Sequence, residues 1–270
     1  PFNDIEAFDR FISQKQVKEN FAGVIIEPIA TNMGLVAATQ EFLEHIRRKT
    51  KEMKAVLIFD EVVTGFRVGK GGATALYNIE PDLICLGKII GGGFPAAAFG
   101  GKKEIMDCIA PLGTVYQAGT LSGNPVAMEA GLQALTLCDA PRFYEELQRK
   151  ADVITQPIKE FIAKEQLHAT VQQIGSAFTI FFGVHEVHNV DDALKCSKKH
   201  FQELFQTLFE AEGGKGEGGK NVYAPPSAHE IWTVSSVHSQ ANLECTRNLI
   251  MEYLKQCVPY LSACGSFATA

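Results

Sequence analysis

The arrangement of short apolar runs along the chain constrains its fold more than any other feature. Runs at residues 22–28, 55–60 and 82–86 are apolar almost throughout, and segments with helical spacing of their apolar residues separate them. Such strands, without alternation of polar and apolar residues, are typical of parallel sheets that helices cover on both faces. The sequence therefore predicts an α/β fold. Its helices are expected at about residues 4–20, from residue 39 onward, at 102–110 and at 124–138.

Several of these helices begin at residues that cap helix N-termini. Asn3 or Asp4 precedes the first helix and Thr39 the second, and their side-chain oxygens suit the free backbone N–H groups of a first turn. The helix near 124–138 starts at Asn124-Pro125, a favourable pair for an N-terminus.

The second half of the chain has a different pattern. A long amphipathic stretch runs from about Pro141 to residue 166, and the remaining segments are short. They are expected strands at 177–183, 221–224 and 232–235 and helices at about 191–212 and 240–257. This pattern predicts a smaller α+β domain at residues 141–258, after a larger domain at 1–140 and before a tail at 259–270.

Composition excludes several classes of protein. The chain has 270 residues with 25 Lys+Arg against 31 Asp+Glu, a formal charge of −6, so no basic surface for nucleic acid or anionic membrane is expected. Its apolar runs are too short to span a bilayer, and the first residues do not resemble a signal peptide. The seven cysteines include no C-x-x-C pair, which favours buried, reduced thiols in a cytoplasmic protein.

Two motif matches do not carry chemistry. Residues 214–219 fit G-x-G-x-x-G and residues 214–220 fit G-x-x-x-x-G-K, but neither follows an apolar strand, and Asn221 replaces the Ser or Thr of a P-loop. A flexible polar loop is the better interpretation. His185 and His188 have a spacing that could suit a metal, but two histidines without further ligands are more often part of a solvated turn, so no metal site is predicted.

A carboxylate and an amine stand at the ends of neighbouring predicted strands. Asp60 ends the strand at 55–60, and Lys88 follows the strand at 82–86 and precedes three consecutive glycines. Ligand sites of open α/β sheets lie at the carboxyl ends of strands, so a buried Lys and a buried Asp could share one pocket. One use of such a pair is binding of pyridoxal phosphate, with the amine as Schiff-base partner and the carboxylate at the ring nitrogen. The alternative is that Asp60 caps a helix and Lys88 is a surface residue.

Three segments make the sequence recognisable. LIFDEVVTGFR at 57–67, LGKIIGGGFP at 86–95 and YQAGTLSGNP at 116–125 resemble the class III aminotransferases, in particular their glutamate-1-semialdehyde aminomutase family. The likeness extends from about residue 2 to the last helix near Cys257, and the Thr-Leu-Ser-Gly-Asn-Pro block is its most particular part. The resemblance implies a fold-type I pyridoxal-phosphate transferase: a mostly parallel sheet with flanking helices, followed by a smaller α+β domain.

The resemblance also implies roles for individual residues. Lys88 matches the Schiff-base lysine, which in the family also transfers protons, and Asp60 matches the partner of the ring nitrogen. Asn32 matches the position near the ring hydroxyl, and Val62 the position against the ring face. Both Lys88 and Asp60 are therefore expected to be catalytic.

Further matches concern the phosphate and the substrate. Gly119 and Thr120 match the phosphate contact that family members donate from the neighbouring subunit, which implies a homodimer. Tyr116 and Glu230 match positions near the substrate. Each of these residues has a structural alternative, as has Asn32, which could be a turn residue before Gly34. Thr120, or Ser122, could cap the following helix, Tyr116 could be a core residue, and Glu230 could be a solvated loop carboxylate. Arg67 could bind a carboxylate or be structural.

The activity implied by the resemblance is conversion of glutamate-1-semialdehyde to 5-aminolevulinate for tetrapyrrole synthesis, with pyridoxal or pyridoxamine phosphate as cofactor. It is expected in the cytoplasm, or in the plastid stroma of a photosynthetic eukaryote. Two alternatives stay open: a class III ω-amino acid aminotransferase that uses an external donor, and a truncated, non-catalytic paralogue. Family members also have an N-terminal portion before the equivalent of Phe2, which contributes to the cofactor site. The sequence lacks this portion, so weak cofactor binding and little activity are expected of this chain alone.

Overall fold

The structure, a computed structural model, describes residues 1–211 and 221–262. These residues group into two compact units. The first unit comprises Pro1–Ile29 and Ala37–Phe143, and the second comprises Ala30–Val36 and the residues from Tyr144 onward. The loop at 214–220 and residues 263–270 of the expected tail lie outside the described ranges.

The first unit contains the strands and helices of the expected α/β fold. Its helices are α1 (Ile5–Ile12), α2 (Lys15–Lys18), α3 (Gln40–Glu52), α4 (Gly72–Tyr77), α5 (Lys103–Met106) and α6 (Pro125–Cys138), with a short 3-10 helix at Lys88–Gly91. Its sheet strands are β1 (Gly23–Ile26), β4 (Val56–Glu61), β5 (Leu83–Leu86) and β6 (Ala98–Gly101). The strands β2 (Ile29–Ala30) and β3 (Val36–Ala37) form a separate two-stranded ladder.

The four-stranded sheet has the order β1-β4-β5-β6. Strand β4 pairs in parallel with β1 and β5, which confirms the mostly parallel sheet, while β6 is antiparallel to β5. Strand β6 was not predicted, because Ala-Phe-Gly-Gly gives no apolar run of strand length. In the register, Asp60 lies opposite Cys85.

The two faces of β4 are covered unequally. Leu57 and Phe59 are fully buried, with Leu43 of α3 also fully buried. Asp60 and Ile58 on the opposite face are only half-buried, and Ile25 of the neighbouring strand β1 is 63% exposed. Since successive side chains of a strand point to opposite faces, Asp60 lies on the more open face and Glu61 on the buried one. In this part of the sheet, one face is therefore covered less completely than the other.

Capping residues begin three helices as expected. Asp4 accepts a hydrogen bond from the Ala7 N–H at 2.7 Å, and Thr39 caps α3 in the same way. The Asn124 side chain accepts from the Ala127 N–H at 2.9 Å at the start of α6, so neither Thr120 nor Ser122 is the cap. The helix expected at 4–20 is interrupted after Ile12 and forms α1 and α2.

The second unit is an α+β arrangement around an antiparallel sheet. It contains α7 (Phe143–Lys164), β7 (Ala169–Ile174), β8 (Ala177–Phe182), α8 (Val190–Lys195), α9 (Lys198–Phe209), β9 (Trp232–Thr233) and α10 (Gln240–Leu261). The sheet order is β7-β8-β9. Its core combines fully or nearly fully buried side chains of β8 with those of the long helices, and Trp232 stacks on Phe178 at 5.5 Å between ring centroids.

Three expectations for this unit need correction. Residues 221–224 form no strand; instead the Val222 N–H bonds the Leu208 carbonyl, which ties the segment to the end of α9. The helix expected at 191–212 is two helices, α8 and α9, and β7 was not expected. The last helix continues to Leu261, so the first residues of the expected tail are helical.

Candidate active site

Asp60 lies near the carboxyl end of β4, where the sheet leads into a tight turn. Its side chain is half-buried, and Oδ1 accepts a hydrogen bond from the Val62 N–H at 3.0 Å. Within residues 1–211 and 221–262, Oδ2 accepts no hydrogen bond. One oxygen therefore fixes the carboxylate to its own turn, and the other is available to a ligand.

Lys88 follows the end of the adjacent strand β5 and begins the 3-10 helix. It has a positive φ of 47°, a conformation that non-glycine residues rarely adopt and that often marks a functional position. The side chain is exposed, and its ammonium has no hydrogen bond or ion pair in the part of the chain that the structure describes. The expectation of a buried lysine beside a buried aspartate is therefore wrong for this chain: Lys88 is exposed and Asp60 half-buried.

Val62, the residue after β4, packs against Gly87, the residue after β5. A Cβ added to Gly87 would come within 3.1 Å of Val62 Cγ1, so the valine side chain packs directly on the backbone that precedes Lys88. A side chain at position 87 would displace it. The structure thus brings Asp60, Val62 and the Lys88 backbone together at one edge of the sheet, as the strand-end argument predicted.

Cys85, which the sequence analysis did not single out, lies beside the carboxylate of Asp60. Burial raises the pKa of the Cys85 thiol, and the negative charge of Asp60 raises it further. The Cys85 side chain is consequently a neutral group next to Asp60.

An open apolar cavity of about 900 Å³ extends from this edge within the first unit. It is lined by residues of six segments, among them Val62, Cys85, Leu86, Pro95, Phe99, Met106, Gly119, Ser122 and Met128. Gly119 and Thr120 are both exposed, as is Tyr116 at 84%. The alternative interpretation of Tyr116 as a core residue is therefore wrong.

Asn32 and Glu230 belong to the second unit. The Gly34 N–H donates to the His229 carbonyl at 2.8 Å, which places the turn containing Asn32 beside the segment containing Glu230. Both side chains are exposed. Glu230 also lines a cavity of about 340 Å³, together with Tyr223, Pro225 and Trp232.

Arg67 lies on the loop after β4. Burial lowers the pKa of its guanidinium, and among the described residues that group has no hydrogen bond. Its backbone N–H bonds the Thr64 carbonyl at 3.0 Å. Within residues 1–211 and 221–262, no hydrogen bond or ion pair joins Arg67 to Asp60 or Lys88.

The donor set at the sheet edge suits pyridoxal phosphate. The cofactor needs an acid at its ring nitrogen, an apolar contact on the ring and a reactive amine. Asp60 with its available oxygen, Val62 and the unpaired Lys88 are of these three types and lie on adjoining strand ends. The residues present therefore fit the group.

Other kinds of site find less support in the structure. Among residues 1–211 and 221–262, no group of three or more His, Cys, Asp or Glu side chains is arranged to hold a metal ion. No helix in the same ranges is long and apolar enough to cross a bilayer. The six cysteines that the structure describes form no disulfide. Of these six, Cys257 is buried, Cys108 is exposed and the other four are half-buried, so the expectation of buried thiols is wrong for most of them.

Comparison with known proteins defines the class to which this fold and site belong. The family described as aminotransferase class-III matches residues 3–207, and the chain belongs to this family. Curated relatives are more specific. The glutamate-1-semialdehyde 2,1-aminomutase of Protochlamydia amoebophila is 51% identical over 95% of this chain, and that of Desulfatibacillum aliphaticivorans 43% identical over 94%. The chain spans 57% of the length of each relative.

A solved structure supports the same assignment of fold. The β-phenylalanine aminotransferase of Variovorax paradoxus superimposes with a TM-score of 0.85 at 25% identity, over 97% of this chain and 58% of that chain. Its similarity covers both compact units of the present structure.

Proposed function

We propose that this chain is part of a pyridoxal-phosphate-dependent aminomutase that converts glutamate-1-semialdehyde to 5-aminolevulinate. One observation carries the proposal: a relative of that name is 51% identical along nearly the whole chain. The arrangement of Asp60, Val62 and Lys88 at adjoining strand ends agrees with it. The formation of 5-aminolevulinate places the reaction in tetrapyrrole synthesis.

The residues of the first unit have distinct proposed roles. When bound, the cofactor accepts electrons from a carbon next to the substrate nitrogen. The free oxygen of Asp60 holds a proton on the ring nitrogen, and Val62 supports one ring face. The amine of Lys88 would hold the cofactor and would move protons between adjacent substrate carbons. Lys88 is exposed and has no ion pair among the described residues, so its amine is accessible to a cofactor and to a substrate.

The remaining assignments follow the family resemblance. Gly119 and Thr120 are proposed contacts of the cofactor phosphate, and Asn32 a proposed contact of its ring hydroxyl. Tyr116 and Glu230 are proposed substrate contacts. Thr120 is proposed to act on the site of a second subunit, which requires a homodimer. Exposed apolar side chains on α6, including Leu132 and Leu137, support such an interface.

Labelling tests the cofactor assignment. The chain is mixed with pyridoxal phosphate, reduced with borohydride and digested, and the modified lysines are identified by mass spectrometry. We expect selective modification of Lys88, absent in Lys88→Ala and unchanged in Lys103→Ala, since Lys103 is an equally exposed lysine of the same unit. Unselective labelling of surface lysines would show that the chain holds no such site.

Turnover tests the reaction. The longer protein of which this chain is proposed to be part is incubated with glutamate-1-semialdehyde and pyridoxamine phosphate but no other amine, and 5-aminolevulinate is measured. Product beyond one cofactor equivalent supports an aminomutase, because the nitrogen must then be recycled between substrate molecules. Product only after addition of an amine donor indicates a class III aminotransferase with the same Lys88 and Asp60.

A further inference from the structure

Glu61, the residue after Asp60, has a carboxylate that is 2% exposed and fully occupied by hydrogen bonds. Thr64 Oγ1 donates to it at 3.0 Å and the Ala73 N–H at 2.6 Å. Thr74 donates twice, from its N–H at 2.8 Å and from Oγ1 at 2.6 Å. The carboxylate therefore ties the end of β4 to two segments, the turn that follows it and the start of α4.

The backbone at Gly72 leaves little free space beside this carboxylate. A Cβ at Gly72, where φ is +60°, would lie 2.1 Å from Glu61 Oε2, so the neighbouring backbone approaches the carboxylate closely. Burial of a carboxylate is costly unless its oxygens receive hydrogen bonds, and here two hydroxyls and two backbone N–H groups supply them. The structure around Glu61 is built for an acceptor with two oxygens.

These contacts close the turn that leaves β4. The Glu61 side chain holds Thr64, and the Glu61 carbonyl accepts from the Gly65 N–H at 2.9 Å. Val62 lies inside the closed turn. Its N–H fixes Asp60 Oδ1, and its side chain packs on Gly87 next to Lys88.

We propose that Glu61 is a positioning residue of the site. By holding the turn at residues 61–65, it sets the orientation of the Asp60 carboxylate and keeps Val62 against the backbone before Lys88. What the site binds rests on the proposed function, but the positioning of Asp60 and Val62 does not, and the experiment separates the two.

Amide hydrogen exchange of the chain without cofactor tests the positioning directly. In Glu61→Gln, the amide nitrogen of the new side chain faces donors, so the turn is expected to loosen. The matched control is Asp82→Asn, which removes another buried carboxylate of the same unit that bonds Leu57 and Arg47 but not the turn. We expect the Val62 and Gly65 N–H groups to exchange about tenfold faster in Glu61→Gln than in Asp82→Asn. Equal rates in the two variants would overturn the proposal.

A milder variant covers the case in which Glu61→Gln fails to fold. Thr64→Val keeps the shape of the side chain but removes one donor to Glu61. It is expected to accelerate exchange at Val62 by a few fold, while the Leu57 N–H near the start of β4 keeps the rate of the unsubstituted chain. Unchanged exchange at Val62 in a folded Thr64→Val variant would also contradict the role assigned to Glu61.

Visible absorption with pyridoxal phosphate adds a readout of the site itself. If the unsubstituted chain gives the band of a lysine-bound cofactor, Glu61→Gln is expected to shift or weaken it and Asp82→Asn to leave it unchanged. An unaltered band in Glu61→Gln counts against the positioning role. If the unsubstituted chain gives no band, the exchange experiment alone decides on Glu61.

Discussion

At the scale of the single residue, the candidate site at the end of β4 depends mostly on contacts between residues close in sequence. Asp60 bonds the N–H two residues further along, a turn that aspartate forms readily. The type of residue and its place after an apolar strand were enough to select it. The exposure of Lys88 was not predictable in the same way, because it depends on which segments cover the end of β5.

Gly34 is required by a side chain that is far away in the sequence, Phe181. Its φ is +81°, and a Cβ there would come 2.3 Å from Phe181 Cζ. We expect Gly34→Ala to lower the free energy of unfolding of the second unit by about 3 kcal/mol, from backbone strain and overpacking together.

Gly183 provides the control for Gly34. It has the same φ of +81°, but an added Cβ would meet Ser197 atoms only at 3.5 Å, so Gly183→Ala is expected to cost about 1 kcal/mol. Urea unfolding followed by the fluorescence of Trp232, the one tryptophan of the chain, measures the free energy of unfolding of both variants. Equal losses of stability in the two variants would show that crowding against Phe181 does not contribute to the effect of Gly34→Ala.

Asp82 makes stability depend on pH. Burial alone raises the pKa of its carboxyl, but the Leu57 N–H, Lys102 and Arg47 together lower it to about 2. A carboxyl whose pKa is lower in the folded state stabilises the fold above its unfolded value of 3.8, and the stability is lost as the pH falls toward 2. We expect a loss of about 2 kcal/mol between pH 5 and about pH 2 from this group.

Unfolding in urea at a series of pH values, followed by far-UV circular dichroism, measures this dependence. Asp82→Asn is expected to be less stable at pH 6 and to have a flatter pH profile over the same range. A profile as steep as that of the unsubstituted chain would assign the acid sensitivity to other carboxylates.

At the scale of the element, apolar runs and capping residues located most helices and strands correctly. Errors occurred where an element depends on its partner. Strand β6 contains two glycines and pairs along β5, and residues 221–224 look like a strand but bond the end of α9 instead. The local sequence predicts neither outcome, because the tendency of a segment to form a strand depends largely on packing against its neighbours.

The start of α6 offers a test at this scale. We expect Asn124→Ala to cost about 1 kcal/mol, because it removes the bond from the Ala127 N–H. Ser122→Ala, just before the helix, is expected to change stability by less than about 0.5 kcal/mol. Exchange of the Ala127 amide, measured in both variants, reports the first turn of the helix. Faster exchange of the Ala127 amide in Ser122→Ala than in Asn124→Ala would show that Ser122, and not Asn124, caps the helix.

At the scale of the whole molecule, apolar side chains on α6 remain uncovered. Leu132 and Leu137 are 58% and 67% exposed, although α6 is apolar along most of its length. In the proposed homodimer, these side chains meet a second copy of the chain. Large exposed apolar surfaces commonly mark such interfaces.

Charge at this surface is expected to weaken the dimer. Leu132→Glu is expected to raise the dissociation constant at least about tenfold, because it places a charge in an apolar contact. Gln133→Glu, an exposed polar position of the same helix, is the control. Sedimentation velocity over a range of concentrations measures both, and an unchanged dissociation constant for Leu132→Glu would exclude α6 from the interface.

Local patterns in the sequence were sufficient to predict a mostly parallel α/β sheet and several helix starts, and to propose Asp60 and Lys88 as candidates at strand ends. These features depend on patterns within a few residues: apolar runs, capping side chains and a residue type at a strand end. Only the tertiary structure decided that Ala30–Val36 belongs to the second unit and that Asp60 and Glu61 lie on different faces of β4 with unequal cover. It also revealed the four hydrogen bonds of Glu61. Such features depend on contacts between segments far apart in the chain, whose energies no local pattern contains.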